Sequence, residues 1–131
     1  MKYFKKSEFD SPDLKGSNKN MAKEFLLFID ELRNRCGFPF RITSGFRTKE
    51  YHNSLTERGY KTIPTSPHLK GLAADIALSD ANKRAEFVFY AMELTSELNL
   101  PFRIGLAGKS GGNFAHIDID TSKQNPRLWI Y

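Results

Sequence analysis

The stretch Ser66-Pro-His-Leu-Lys-Gly-Leu-Ala-Ala-Asp75 indicates how the centre of this chain folds. From position 72 onward, larger apolar residues alternate with small or acidic ones, a spacing that is typical of a β-strand. One face of the predicted strand carries the apolar side chains Leu72, Ala74, Ile76 and Leu78, and the other carries Ala73, Asp75 and Ala77. Asp75 is therefore expected on a face of small side chains, where its carboxylate is open to an approaching group.

A second stretch with the same alternation, Phe114-Ala-His-Ile-Asp-Ile-Asp120, lies near the end of the chain. Its polar face carries His116, Asp118 and Asp120. If the two strands pair, Asp75 and His116 can share one sheet face, and His68 can reach them from the preceding loop. Two histidines and a carboxylate with one open position form the ligand set of a catalytic zinc site. Taken singly, such residues are more often core histidines or edge aspartates, so the joint pattern is what indicates a metal.

The same residues occur in the order of a known family. Two segments resemble the M15-type zinc D-Ala-D-Ala carboxypeptidases and murein endopeptidases, namely Ser66-x-His68-x-x-Gly71-x-Ala73-x-Asp75 and His116-x-Asp118. The upstream segment Ile42-Thr-Ser-Gly-Phe-Arg47 is similar to the Ser-Gly-aromatic-Arg segment of that family, so the resemblance runs from about Phe40 to Asp120. It implies that His68, Asp75 and His116 bind zinc. It also implies that Arg47 faces the substrate or the reacting centre.

One position departs from that family. Many members carry an acidic residue three positions before the third ligand, as general base for the attacking water, and others carry a histidine two positions before it. Here those positions hold Asn113 and Phe114, neither of which accepts a proton. The nearest acidic substitute is Asp118, two residues beyond His116 on the same strand face. We predict that Asp118 is the base, and the alternative is that it only orients the ring of His116.

Length and composition describe an ordinary globular chain. Its 131 residues suit one domain with a sizeable core, and 40% hydrophobic with 27% charged residues are typical of such domains. No window approaches the roughly 18 apolar residues of a membrane span. The first residues contain no apolar run that would act as a signal peptide. We therefore expect synthesis in the cytoplasm, and action on a cell wall after delivery by a lysis system or virion, as for an endolysin.

The net charge of +5 favours polyanionic partners, which include nucleic acid and the anionic bacterial wall. The chain has neither a strand motif of interleaved aromatic and basic residues nor a recognition-helix signature, and this argues against nucleic acid. The expected partners are therefore peptidoglycan peptides, bound by a monomer.

Periodicity predicts helices at about 20–36, 48–58 and 80–98, and further strands at about 38–43 and 102–107. We expect Cys36 to be a small buried hydrophobe, since a single cysteine forms no disulfide within the chain. We expect His52 to face solvent from the second helix and Arg103 to point outward from its strand. The predicted buried stripe of the third helix consists of Ala85, Val88, Ala91, Met92, Thr95 and Leu98.

The expected fold is α+β, with one small antiparallel sheet, helices packed mainly on one face and zinc held on the other. Residues 1–131 form a single domain in this interpretation, with an irregular arm at 1–20 and a docked tail at 121–131. The predicted function is zinc-dependent cleavage of peptidoglycan stem peptides, by a D,D-carboxypeptidase or an L,D-type endopeptidase. The alternative is a zinc-binding cell-wall module that no longer cleaves, which Asn113 keeps open.

Overall fold

The computed structural model describes all 131 residues. Its α-helices are α1 (Lys23–Cys36), α2 (Lys49–Glu57) and α3 (Ala81–Leu98). Its strands are β1 (Arg41–Ser44), β2 (Ala73–Ala77), β3 (Arg103–Leu106), β4 (Phe114–Asp118) and β5 (Arg127–Ile130). Short 3₁₀ turns lie at Lys6–Phe9, Ser17–Asn20, Pro67–Lys70 and Lys109–Gly111.

The strands form one sheet in the order β1-β2-β4-β3-β5. The first four strands are antiparallel to their neighbours, and β5 is parallel to β3. The predicted α+β fold is confirmed, and the sheet becomes mixed at one edge because the tail contributes a strand that was not predicted. The direction of β5 follows from connectivity: after β4 the chain turns back, so β5 runs opposite to β4 and along β3.

One row of residues crosses the whole sheet. Its members are neighbours in register on successive strands: Ser44, Asp75, His116, Gly105 and Trp129. Residues opposite each other in a ladder point to the same face, so this row lies on one side of the sheet. A Cβ atom at Gly105 would lie 2.4 Å from the indole of Trp129, so the missing side chain lets the indole cover this point of the sheet.

The other face of the sheet carries the hydrophobic core. Ala74, Ile76, Ile104, Ala115 and Ile117 are buried there and belong to one cluster with apolar residues of α1 and α3. The two longer helices, α1 and α3, therefore pack on one sheet face, in agreement with the prediction that helices lie mainly on one side. Cys36, at the end of α1, is buried in this cluster, and burial raises the pKa of its thiol to about 12. The residue is a protonated, buried hydrophobe at neutral pH, which agrees with the sequence-based expectation.

The predicted buried stripe of α3 is correct for Ala91 and Thr95, and in part for Val88, which is half-buried against the core. It is wrong for the other three residues of the stripe. The buried residues of α3 are Phe87, Ala91, Leu94 and Thr95, whereas Ala85, Met92 and Leu98 are exposed. The aromatic ring of Phe87 explains the rotation, since it packs edge-on against Phe40 with 5.6 Å between ring centroids. Burying a phenylalanine contributes much more than burying an alanine, so Phe87 decides which face turns inward.

The N-terminal arm packs against the segment that carries Arg47. Phe4 and Phe9 are buried, and the carbonyl of Phe9 accepts a hydrogen bond from the N–H of Phe46 at 2.9 Å. Gly45 allows this contact, because a Cβ atom there would lie 2.6 Å from the Cα of Phe9. None of the α-helices combines the length and apolar character that crossing a membrane requires.

Because the indole lies so close to Gly105, a larger residue at this position should destabilise the protein. Gly105→Ala should lower the free energy of unfolding by about 1–3 kcal/mol, because the added methyl group overlaps the ring of Trp129. It should also shift the tryptophan emission to the red as the ring moves toward solvent. Urea unfolding followed by fluorescence measures both effects.

Gly108→Ala is the matched control, since a Cβ atom at Gly108 meets open space and its φ of −83° suits any residue. Equal stability and equal emission in the two variants would contradict the packing of Trp129 over Gly105.

Candidate metal centre

Three side chains converge at the centre of the cross-sheet row. The ligating atoms of His68, Asp75 and His116 all lie within 4.8 Å of one another, and the three residues are buried. Asp75 and His116 are direct neighbours in the β2–β4 ladder, and His68 comes from the 3₁₀ turn before β2. The structure thus brings together the three residues that the sequence predicts as ligands.

Local sequence explains how His68 reaches the site. The hydroxyl of Ser66 accepts a hydrogen bond from the N–H of His68 at 3.3 Å, and Pro67 begins the turn. Gly71 ends the turn with a φ of 70°, a left-handed conformation that favours glycine. A Cβ atom at Gly71 would lie 2.1 Å from the carbonyl oxygen of Asn20, so the position excludes other residues on contact grounds as well.

The outer nitrogen of each histidine is held by an acceptor. Nδ1 of His68 donates to the carbonyl of Gly45 at 2.8 Å, and Nε2 of His116 donates to Oδ2 of Asp118 at 2.7 Å. The inner nitrogens, Nε2 of His68 and Nδ1 of His116, then face Oδ1 of Asp75 at 3.2 and 2.9 Å. Two nitrogen lone pairs and a carboxylate therefore point toward one another. Because all three groups are electron-rich, a cation between them would stabilise the cluster. This donor set, with its ring-orienting partners, fits zinc.

Electrostatics in the cluster match this arrangement. Burial lowers the pKa of His68 below its usual value, which favours the neutral ring that binds a metal. Burial opposes ionisation of Asp75, yet the two histidines hold its pKa below the usual range. Burial also disfavours a charged His116, but hydrogen bonds to Asp118 and Asp75 outweigh it and raise the pKa to about 9. Without a metal, a proton on His116 supplies the positive charge that the cluster requires.

Asp118 is fully buried and both of its oxygens are engaged. Oδ1 accepts from Nε of Arg103 at 2.7 Å and from the N–H of Asp120 at 3.1 Å, while Oδ2 contacts His116. The expectation that Arg103 points outward is therefore wrong. Arg103 is buried on the face of the metal centre, because its guanidinium pairs with Asp118 and donates from Nη1 to the carbonyl of Gln124 at 2.6 Å.

Arg47 stands beside Asp75 at the edge of the centre. Its Nε donates to the hydroxyl of Ser44 at 3.0 Å, and its Nη2 donates to Oδ2 of Asp75 at 3.3 Å. Burial lowers its pKa, and the charge of Asp75 acts in the opposite direction. Nη1 makes no hydrogen bond within the protein, so this part of the guanidinium remains open to a ligand.

The expectation that His52 faces solvent is wrong. Only 3% of the residue is exposed, and its Nε2 donates to the carbonyl of Ile63 at 2.9 Å. The loop that precedes the Pro67–Lys70 turn folds over α2 and covers the ring, a contact between residues that helical periodicity cannot reveal. His52 holds this loop and does not belong to the ligand cluster.

A cavity of about 500 Å³ opens beside the ligands. Its aromatic lining consists of Phe114, Trp129 and Tyr131, and its basic lining consists of Arg47, Lys61, Arg103 and Arg127. The sequence-based prediction missed the contribution of the tail to this wall. The signal was the alternation of Arg127, Trp129 and Tyr131 with apolar residues, which is typical of a strand with one face on a site.

The fold and the site define an α+β domain with a His/Asp/His centre on the open face of its sheet. The chain belongs to the peptidase M15 family, whose model matches residues 2–118. Among solved structures it is similar to the Serratia marcescens L-Ala D-Glu endopeptidase ChiX, with a TM-score of 0.62 and 14% sequence identity. That match covers 79% of this chain and 84% of the other, and it shows a shared fold. No curated protein matches the chain.

The ligand geometry predicts about one zinc ion per chain. His68→Ala and His116→Ala should each abolish stoichiometric zinc binding, because two ligands hold the ion much more weakly than three. His52→Gln should retain it, since His52 lies outside the cluster. Metal analysis of the dialysed proteins measures the result, and full zinc content in both alanine variants would contradict the site.

Proposed function

We propose that this protein is a zinc-dependent peptidase that cleaves peptidoglycan stem peptides. The convergence of His68, Asp75 and His116 beside an open cavity carries the proposal. Membership of the peptidase M15 family supports peptide-bond hydrolysis. The shared fold with ChiX, described as an L-Ala D-Glu endopeptidase, supports a substrate that joins L- and D-amino acids, as peptidoglycan stem peptides do.

Some residues of the site would bind the metal, and others orient the rings of the binding histidines. Nε2 of His68, the carboxylate of Asp75 and Nδ1 of His116 would hold the metal. The Gly45 carbonyl and the Asp118 carboxylate fix the two rings through their outer nitrogens. Zinc held by these residues would supply Lewis-acid polarisation of the scissile carbonyl and would lower the pKa of a water molecule to about 7.

Arg47 would contact the substrate. Ser44 and Asp75 fix the guanidinium through Nε and Nη2, which leaves Nη1 free to donate. A guanidinium held in this way can bind a substrate carboxylate, or stabilise negative charge that develops on the carbonyl oxygen, without further ordering of its side chain.

The candidate proton acceptors of this site are carboxylates on the sheet. Asp118 remains the predicted base, but its burial and its bonds to Arg103 and His116 favour the orienting role. The carboxylates that line the cavity are Asp75 and Asp118, and both are engaged. Asn113 occupies the position where many family members carry an acid. This observation supports a second candidate function, a zinc-binding cell-wall module that does not cleave.

Digestion of purified peptidoglycan separates the two functions. A peptidase should release peptide fragments whose masses identify the bond that is cut, and so distinguish a carboxypeptidase from an endopeptidase. Chelator should stop the release and added zinc should restore it. Intact peptidoglycan after incubation with the fully zinc-loaded protein would contradict the peptidase and favour the non-cleaving module.

Arg47→Lys tests the positioning of the guanidinium. The variant should keep its zinc and its fold but lose at least about 10-fold in kcat/KM, since a point charge cannot hold Ser44 and Asp75 while also contacting the substrate. Steady-state kinetics on a stem peptide, with metal analysis of the same sample, measure the change. Unchanged kinetics would place Arg47 outside the reaction.

Asp118→Asn distinguishes the two roles of Asp118. As an orienting residue, its loss should weaken zinc binding about 10- to 100-fold, with activity restored by added metal. As a base, its loss should lower kcat by about 100-fold or more while zinc stays bound. Zinc titration and kcat at saturating zinc measure the two effects separately. Wild-type turnover at saturating zinc would exclude the base role.

A further inference from the structure

We propose that Arg127 and Lys61 select peptides that carry a free carboxylate next to the scissile bond, with Trp129 as the surface across which the peptide lies. The inference rests on the proposed function of the same cavity, and it concerns which peptides enter rather than how they are cleaved. Arg127 lies on β5 and Lys61 on the loop before the Pro67–Lys70 turn, and both line the cavity.

The two aspartates that line the cavity pair with other arginines and not with Lys61 or Arg127. Asp118 pairs with Arg103 at 2.7 Å, and Asp75 pairs with Arg47 at 3.3 Å. The side chains of Lys61 and Arg127 are exposed and take part in no ion pair. An excess of positive charge in a concave site attracts anionic ligands.

The register of β5 strengthens the assignment of Arg127. Arg127 lies directly opposite Arg103 in the β3–β5 ladder, and like charges in that position destabilise a sheet. Asp118 neutralises Arg103, but Arg127 donates from Nη1 to the uncharged Oε1 of Gln124 at 2.5 Å. That bond orients the guanidinium without neutralising it. An anion bound at Arg127 would supply the counter-charge that this guanidinium lacks.

Trp129 connects this position to the metal centre. Its ring centroid lies 5.6 Å from that of His116, and the guanidinium carbon of Arg103 lies 5.1 Å from the indole centroid. Arg127 and Trp129 are two residues apart on one strand face, a spacing of roughly 7 Å. A peptide bond placed at the metal centre would therefore bring a carboxylate about one residue away within reach of Arg127. β5 lies beyond the residues 2–118 that the family model matches, so this wall is contributed by a segment outside the matched region.

The experiment compares two stem tetrapeptides, L-Ala-γ-D-Glu-L-Lys-D-Ala, both amidated at the C-terminus, in which the α-carboxylate of D-Glu is either free or amidated. Trp129 is the single tryptophan of the chain, so the initial stopped-flow change in its fluorescence reports binding to the zinc-loaded protein before turnover. Calorimetry supplies the same affinities if the fluorescence change is small. The wild type should bind the free-carboxylate peptide at least about 10-fold more tightly.

Arg127→Gln and Lys61→Gln should each reduce this preference, and the double variant should remove it. Arg41→Gln is the matched control, because it removes the same charge from an exposed strand residue outside the cavity. Equal affinity of the wild type for both peptides, or an unchanged preference in the double variant, would overturn the inference. The binding assay does not depend on cleavage. Intact peptidoglycan in the digestion assay would therefore contradict the proposed function without changing the outcome of the binding test.

Discussion

The pairing of β2 with β4 is the constraint on which the rest of the structure depends. Asp75 lies opposite His116 in this ladder, and alternation places both side chains on the face away from the helices. A slip of one residue would turn both into the core and send apolar residues such as Ile76 to the cavity. Burial of Ile76 and Ile117 under α1 and α3 therefore holds the register that brings the predicted metal ligands together. Core packing and ligand geometry are two consequences of the same ladder.

Backbone contacts connect the N-terminal arm, the segment of Arg47 and the turn of His68 to this ladder. The Gly45 carbonyl binds the ring of His68, and the same glycine admits the backbone of Phe9 from the N-terminal arm. The carbonyl of His68 in turn accepts from the N–H of Arg47 at 3.1 Å. These contacts tie the arm, the arginine segment and the histidine turn into one support. Such support holds the ligating nitrogens in place before a metal arrives, and metal sites depend on it for affinity.

One ion pair connects the metal centre to the peptide-facing wall. Asp118 is buried between His116 and Arg103, and a carboxylate without such partners would be costly at full burial. Arg103 also lies over the indole of Trp129, so the group that orients a ligand ring also positions the aromatic wall. His116, the predicted third ligand, and β5 are therefore coupled through a single guanidinium.

The sequence alone predicted the helices, the two strands that carry Asp75 and His116, and the convergence of these residues with His68, because each leaves a local pattern of alternation or spacing. The direction of Arg103, the burial of His52 and the pairing of residues 127–130 with β3 became visible only in the folded chain. One cause accounts for all three. A local pattern shows that a segment has two faces, but the partner that covers a face is a residue remote in sequence. For Arg103 that partner is a carboxylate on the next strand, and for the tail it is an open sheet edge beside Gly105.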